Sequence, residues 1–182
     1  FNGNANDESR NEHNGTVYGA TLTTGLCGLG LGTLSKAYKF NGTTQSIRVN
    51  HDAALNPATI TISAWVKPSS APVVNPMNRR IITKEGALGS SRHGFGLIQT
   101  GHPRFAFTCG WDGGGGPGIH STTTIVAGEL YHVLGTYDGT TLKIYINGRE
   151  EASQIVSFTP ASLEPLGIGN LPGKTGSTED EY

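Results

Sequence analysis

Residues 129–148, ELYHVLGTYDGTTLKIYING, decide the fold of this chain. Two runs rich in β-branched and aromatic residues, Tyr131–Tyr137 and Thr140–Ile146, flank the dipeptide Asp138-Gly139, which readily supplies the positive φ angles of a tight hairpin turn. A second turn signal, Asn147-Gly148, follows. The stretch therefore predicts a β-hairpin whose second strand ends at that signal.

The side chains of a strand alternate between two faces, so the hairpin divides its residues into two sets. The first set is expected to face the core: Tyr131, Val133, Gly135, Tyr137, Thr140, Leu142, Ile144 and Ile146. The second set is mixed and suits a partly wet surface that holds either a ligand or only water: His132, Leu134, Thr136, Thr141, Lys143 and Tyr145.

The same stretch resembles the segment W-H-H-V-A-x-T-Y-D-G-x-x-L-x-L-Y-V-N-G of laminin G-like jelly-roll domains, members of the wider concanavalin A-like lectin and glucanase group. Tyr131 replaces the usual Trp or His, and Leu134 the usual Ala, without breaking the β pattern. The segment Thr59–Pro68, TITISAWVKP, is similar to the central strand of those domains. The resemblance implies an all-β fold: a two-sheet antiparallel jelly-roll sandwich of the concanavalin A-like type with no substantial helix.

Composition agrees with one such domain over residues 1–182. The chain has 27 glycines and 9 prolines and is only 35% hydrophobic, as expected where many short strands alternate between turns. Its formal charge of −1 gives no general attraction to nucleic acid or to an anionic membrane. No apolar run approaches the roughly 20 residues that span a bilayer.

Catalysis is not expected. Glycoside hydrolases of this fold group need two carboxylates about 5 to 10 Å apart, arranged on one strand as E-x-D-x-x-E or similar. The Asp and Glu residues of this chain fall in turns or at the C-terminus, there is no G-x-S-x-G motif, and the 6 histidines are scattered. We therefore expect a protein that is not an enzyme.

A glycan-binding site is expected on two loops. Sugar sites commonly combine an aromatic ring with convergent polar side chains. One predicted loop supplies Trp111, Asp112 and His120, and a second, carrying Arg92 and His93, is placed to approach it. The alternative interpretation is that Trp111 covers an edge of the sandwich. A second tryptophan, Trp65, is interpreted as structural.

A structural calcium ion is predicted near the N-terminus. Residues 1–19 resemble a family segment in which an early strand runs into a polar loop, and Asp7, Asn11 and Asn14 match its polar positions. A carboxylate with amide and carbonyl oxygens is a ligand set that Ca²⁺ accepts. The alternative is that these residues simply make turns. Cys27 and Cys109 form either one disulfide or two free thiols.

The sequence contains no counterpart of the family's first and last strands, which are neighbours in that fold. We therefore expect a gap two strands wide, which Phe1–Gly3 and Leu166–Asn170 would flank if a strand were donated by another chain. Three alternatives fill it: a longer parent chain that supplies its own strands, a variant that closes with fewer strands, or strand donation from another molecule. The chain starts without Met or a signal peptide, as a processed chain or a fragment would.

The leading functional hypothesis is a non-catalytic, lectin-like recognition module, extracellular or at the cell surface, that binds a glycan. The alternative is a structural or adhesive subunit that self-associates or binds a protein ligand through the jelly roll. The fold hosts both, so the site must decide between them.

Overall fold

The computed structural model describes residues 1, 3–25, 36–70, 78–88, 91–109, 118–157 and 163–170, and within them the side chains of all but 86–88 and 91–93. These residues form one turn of 3-10 helix, Ala53–Leu55. They also form the following strands: β1 (Gly15–Tyr18), β2 (Thr21–Thr24), β3 (Lys36–Lys39), β4 (Ser46–Val49), β5 (Ile60–Val66), β6 (Arg79–Leu88), β7 (Ser91–Gln99), β8 (Phe105–Cys109), β9 (Gly118–His120), β10 (Tyr131–Tyr137), β11 (Thr141–Ile146), β12 (Arg149–Ile155) and β13 (Leu166–Ile168).

The strands form two larger sheets and one small one. The seven-stranded sheet has the order β1-β4-β13-β6-β7-β8-β9, and the four-stranded sheet the order β12-β11-β10-β5. The remaining pair, β2-β3, is a separate two-stranded sheet. Neighbouring strands within every sheet run antiparallel, so the all-β, antiparallel prediction is confirmed.

The predicted hairpin is present as β10 and β11, with Tyr137 opposite Leu142. In its turn, Gly139 has φ of 97°, and Asp138 Oδ1 accepts hydrogen bonds from the backbone N–H groups of Thr140 and Thr141 at 2.9 and 2.8 Å. Thr140 is thereby held in the turn, so the second strand begins one residue later than predicted. The turn after β11 leads directly into a third strand, β12.

The core lies between the two larger sheets. Every second residue of β10 and β11 is buried, as the alternation predicted. Opposite them, β7 and β8 contribute Phe95, Leu97, Phe105 and Phe107 to the same cluster. Gly135 is needed at the contact, because a Cβ there would lie 2.5 Å from Phe107 Cγ.

The strand at Leu166–Asn170, expected to flank a donated strand, is paired within the chain. Strand β13, which contains most of Leu166–Asn170, pairs with β4 on one side and with β6 on the other. The backbone oxygen of Phe1 accepts a hydrogen bond from Lys36 N at 3.2 Å. Among the described strands, the outermost ones are β1 and β9 in the larger sheet, and β5 and β12 in the smaller.

The described part of the chain contains no helix with the length and apolar character needed to cross a bilayer.

Candidate functional site

Each larger sheet turns one face away from the core, and these two outer faces are the candidate binding surfaces. On β7, Phe95 and Leu97 point into the core, so period-two alternation turns Gly94, Gly96 and Ile98 outward. On β10, Tyr131 and Val133 point inward, so His132 and Leu134 lie outside. We call these surfaces the large-sheet outer face and the small-sheet outer face.

The predicted binding residues that the structure describes lie toward different ends of the large sheet. Arg92 and His93 lie in strand β7, opposite Ala87 and Gly86 of β6, and not on a free loop as predicted. Strands β6 and β7 stay in register through these two residues, so the β ladder includes them. Nothing further is described of their side chains.

His120 also lies in a strand, β9, opposite Ala106, and its predicted loop position is wrong. Trp111 and Asp112 lie outside the described residues, but Cys109 pairs with Phe95 and Gly118 with Thr108. The segment that carries both residues therefore leaves and re-enters the sheet beside the β6–β7 hairpin. Register therefore brings the two ends of this segment near Arg92 and His93, whereas His120 lies farther along the sheet, opposite Ala106 and in the row of Ile98.

His120 faces two other basic residues at this edge. Partial burial, and after it the positive charges of Arg104 and then His102, hold the pKa of His120 below its usual value. Arg104 also donates from Nη1 to the backbone oxygen of Ser121 at 3.5 Å. The exposed imidazole is therefore neutral at pH 7.

The large-sheet outer face carries a buried ion pair that the sequence analysis did not predict. Arg80 Nη1 donates to Glu85 Oε2 at 2.7 Å, and Thr108 Oγ1 donates to Glu85 Oε1 at 2.8 Å. Arg80 and Glu85 are 1% and 4% exposed. The available signal was the charge density of the strand RRIITKEG, which is unusual for a central strand.

Glycine makes room for this pair. A Cβ on Gly96 would lie 2.8 Å from Glu85 Oε1 and 3.1 Å from Thr108 Oγ1. Gly94, which has φ of 107°, lies opposite Glu85. The missing side chains allow the carboxylate to lie flat against the sheet.

The small-sheet outer face has the opposite character. Trp65, at the end of β5, is 54% exposed, so it does not belong to the core. Its ring lies 4.9 Å from the His132 ring at a tilt of 37°, and His132 Nε2 is 2.7 Å from Ser63 Oγ. Trp65 thus lies on the outer face, as the alternation of TITISAWVKP predicts, and its structural interpretation stays a prediction.

The rest of this face is polar and paired. Tyr145 Oη and Lys143 Nζ both donate to Glu150 Oε2, at 3.1 and 3.0 Å. This hydrogen bonding raises the pKa of Lys143 and lowers the pKa of Glu150. A shallow open depression of ≈ 380 Å³, lined by residues 59–61 and 136–138, lies at the far end of β5 from Trp65.

The predicted calcium residues form a loop closed on itself. Asp7 accepts from Ser9 N at 2.8 Å and from His13 N at 3.0 Å, and its own N–H donates to Asn14 Oδ1 at 2.8 Å. Asn11 Nδ2 donates to Ser9 Oγ at 2.9 Å. Hydrogen bonding from Ser9 lowers the pKa of Asp7.

These contacts do not fit a calcium cage, which needs six to eight oxygens. They match the turn interpretation, since the loop's own N–H groups engage the acidic oxygens. Within the described residues, no three His, Cys, Asp or Glu side chains converge as a metal site requires. Calcium stays a prediction: if it binds, excess chelator will lower the melting temperature.

Cys109 is a buried free thiol, and burial raises its pKa. Cys27 lies outside the described residues.

Comparison with protein-family models identifies the family to which this fold belongs. The laminin G family model described as the concanavalin A-like lectin/glucanases superfamily matches residues 41–180. The chain belongs to this superfamily. The match spans the hairpin and both outer faces, so the resemblance inferred from the sequence is confirmed. A comparison with curated protein sequences finds no match.

Solved structures share the superfamily fold at low identity. Domain 4 of AbnA, a GH43 extracellular arabinanase from Geobacillus stearothermophilus in complex with arabinotriose, is 20% identical, with a TM-score of 0.61 over 91% of this chain and 78% of that one. The CBM40 of the Ruminococcus gnavus IT-sialidase, bound to α2,3-sialyllactose, is 15% identical, with a TM-score of 0.52 over 65% and 67%.

Domains LG4-5 of the mouse laminin α1 chain are 14% identical, with a TM-score of 0.51 over 68% of this chain and 32% of that one. At these identities the likeness shows the fold alone.

Proposed function

We propose that this domain is a non-catalytic carbohydrate-binding module that works outside the cell or at its surface. The observation that carries the proposal is the convergence at one end of the large sheet. There the β6–β7 hairpin, with Arg92 and His93, lies beside the points where the segment carrying Trp111 and Asp112 leaves and re-enters the sheet. Arginine, histidine, tryptophan and aspartate together supply the aromatic surface and polar groups of a sugar site.

The surrounding surface supports binding over catalysis. Glu85 is the one carboxylate among the described side chains that β6–β9 turn outward, and Arg80 and Thr108 already engage both of its oxygens. A glycosidase needs a second carboxyl group about 5 to 10 Å away. His120 lies toward the other end of the sheet, near Arg104, and is not part of this convergence.

Further support comes from the two similar structures that hold arabinotriose and α2,3-sialyllactose. A glycan array that includes both sugars tests the proposal directly. We expect binding to at least one glycan class, with no cleavage of the bound sugar during prolonged incubation. An array without any binder, repeated at millimolar ligand by calorimetry, would overturn the proposal.

The predicted anchor is Trp111. Replacing Trp111 with Ala should weaken binding of the array ligand by about 1 to 3 kcal/mol, because truncation of a buried aromatic anchor removes most of its contact area. Trp111→Phe is the matched control and should retain most of the affinity. Unchanged affinity in the alanine variant would place the sugar elsewhere on the domain.

A structural or adhesive function is the second candidate, and one observation favours it. Strand β5, Ile60–Val66, is an outermost strand of its sheet among the described strands, and exposed strand edges pair with other chains. Light scattering over a range of protein concentrations tests self-association. A monomer at all concentrations would remove this candidate.

A further inference from the structure

We propose that the small-sheet outer face is a second carbohydrate-binding surface, which takes a neutral sugar ring against Trp65. We call it the Trp65 platform, made of Ser63, Trp65, His132, Leu134 and Tyr145. The proposal rests on the proposed function, since it assumes a glycan ligand. It adds a site on the opposite side of the sandwich from the Trp111 segment's sheet.

The platform starts from an aromatic ring with an open face. Trp65 is 54% exposed, and its position opposite His132 holds both rings on the outside of the sheet. An exposed tryptophan of this kind loses little conformational entropy on binding, because its neighbour already restrains it. The apolar face of a pyranose is the complementary shape, since an aromatic surface offers area without demanding hydrogen bonds.

Fixed polar groups surround the ring. The contact of His132 Nε2 with Ser63 Oγ, at 2.7 Å, orients the imidazole. On the next rung, Leu134 lies between Ser63 and Tyr145, and Tyr145 Oη is held by Glu150. From β5 to β11 the platform spans two strand spacings, about 10 Å. A sugar ring on Trp65 would thus meet hydroxyl and imidazole groups at its edge.

The charges of this face favour a neutral ligand. The charged residues that β5, β10, β11 and β12 place here are Lys143 and Glu150, and they pair with each other at 3.0 Å. The pair leaves these four strands without a net charge on this face, and Lys67, which directly follows β5, is the one further charge beside Trp65 along this segment. The edge of the large sheet differs, because His102, Arg104 and His120 gather there.

The apolar area is too small for a protein partner of stable affinity. A tryptophan side chain offers about 250 Å² at most, so its exposed half supplies little more than about 100 Å². A stable protein interface buries about 800 Å² on each partner. One ring of a saccharide matches the area that Trp65 presents, and a second copy of the chain does not.

The two tryptophans of the chain allow each surface to be read separately. The Trp111→Phe protein reports from Trp65 alone, and the Trp65→Phe protein from Trp111 alone. Each is titrated with arabinotriose, cellotriose and lactose as neutral probes and with α2,3-sialyllactose as a charged one. Calorimetry of the wild-type protein and of Trp65→Ala counts the sites with the same sugars.

We expect a saturable change of Trp65 emission with a neutral sugar, and a weaker response to sialyllactose. In the Trp111→Phe background, His132→Ala should weaken the response severalfold. Thr136→Ala, on the same strand and face but four residues away, should leave it unchanged. Calorimetry should detect one site fewer in Trp65→Ala than in the wild type, because the affinity of the platform falls tenfold or more.

The outcomes separate the two proposals. If no sugar changes the emission of Trp65 while the emission of Trp111 responds, the platform proposal is overturned and the proposed function stands. If neither tryptophan responds and calorimetry finds no binding, both fall. If Trp65 emission changes with protein concentration without sugar, the surface is an interface between copies of the chain, and the platform proposal is likewise overturned.

Discussion

The two outer faces of the sandwich invert the usual distribution of polar and apolar residues. The large-sheet outer face buries a guanidinium and a carboxylate, Arg80 and Glu85, whereas the small-sheet outer face leaves Trp65 half exposed. Side chains alternate between the two faces in both sheets, yet the described residues 94–99 of β7 are buried on both faces, whereas β10 is buried only at every second residue. The exposure of a residue in this fold therefore depends on the surroundings of its sheet face as well as on its own polarity.

Charge is handled differently on the two faces as well. On the large sheet, a buried carboxylate receives hydrogen bonds from Arg80 and Thr108, which offset the cost of removing it from water. On the small sheet, Lys143 and Glu150 pair in contact with solvent, where an ion pair contributes little. Buried polar contacts therefore stabilise the first face, whereas the second leaves an aromatic ring open to solvent.

The largest expected effect concerns the buried ion pair of Arg80 and Glu85. Arg80→Met should lower the free energy of unfolding by about 3 to 5 kcal/mol, because it leaves Glu85 buried without its cation. Lys143→Met, the matched change on the other sheet, should leave the midpoint unchanged. Denaturant unfolding measures both variants.

The double variant Arg80→Met/Glu85→Leu controls for packing and should recover much of the lost stability, since it removes both charges. A single Arg80→Met variant as stable as the wild type would mean that the pair is not buried in solution.

A medium effect is expected at Gly96. Gly96→Ala should destabilise the fold by about 1 to 3 kcal/mol, because the added methyl group meets Glu85 and Thr108 at close range. Thr136→Ala on the small-sheet outer face serves as the control for altering an outward strand position. Equal midpoints for the two variants would show that the glycine is not required for the carboxylate to lie flat.

The smallest effect concerns pH at the large-sheet edge. The pKa of His120 is held below its usual value, so folding is favoured above about pH 6.5, the unfolded value, and part of that contribution is lost as the pH falls through the folded value. Arg104→Gln should raise the pKa of His120 without restoring it fully, because burial remains. A histidine titration by NMR measures the shift, and a downward shift or none would contradict the assigned role of Arg104.

Local patterns predicted the central elements well. The hairpin of β10 and β11, its turn at Asp138 and its buried face follow from turn chemistry and period-two alternation, both of which act over a few residues. The start of β11 was wrong by one residue, since the Asp138 side chain holds Thr140 N–H within the turn. That β13 has a neighbour on each side could not be predicted, because sheet order depends on contacts between distant segments.

The candidate site was less predictable than the hairpin. Arg92, His93 and His120 were predicted on loops, yet all three lie in strands whose length depends on their pairing partners. Glu85 and Arg80 were missed because two charges in a strand look solvent-exposed until the strand is placed in the sheet. The alternation in TITISAWVKP already put Trp65 on the other face of the strand from Ile62 and Val66. The sequence did not show whether that face is exposed to solvent.

The sequence by itself determined the all-β class, the hairpin and the side of each strand that faces the core, since these depend on turn residues and on the alternation of neighbouring side chains. Only the tertiary structure decided which strands are neighbours, that Arg80 meets Glu85 beneath Gly96, and that Trp65 is left open beside His132. Arg80 and Glu85 are five residues apart, but Thr108 and Gly96, which bond the carboxylate and make room for it, come from other strands, as His132 does for Trp65. Such contacts form only once the sheets have assembled.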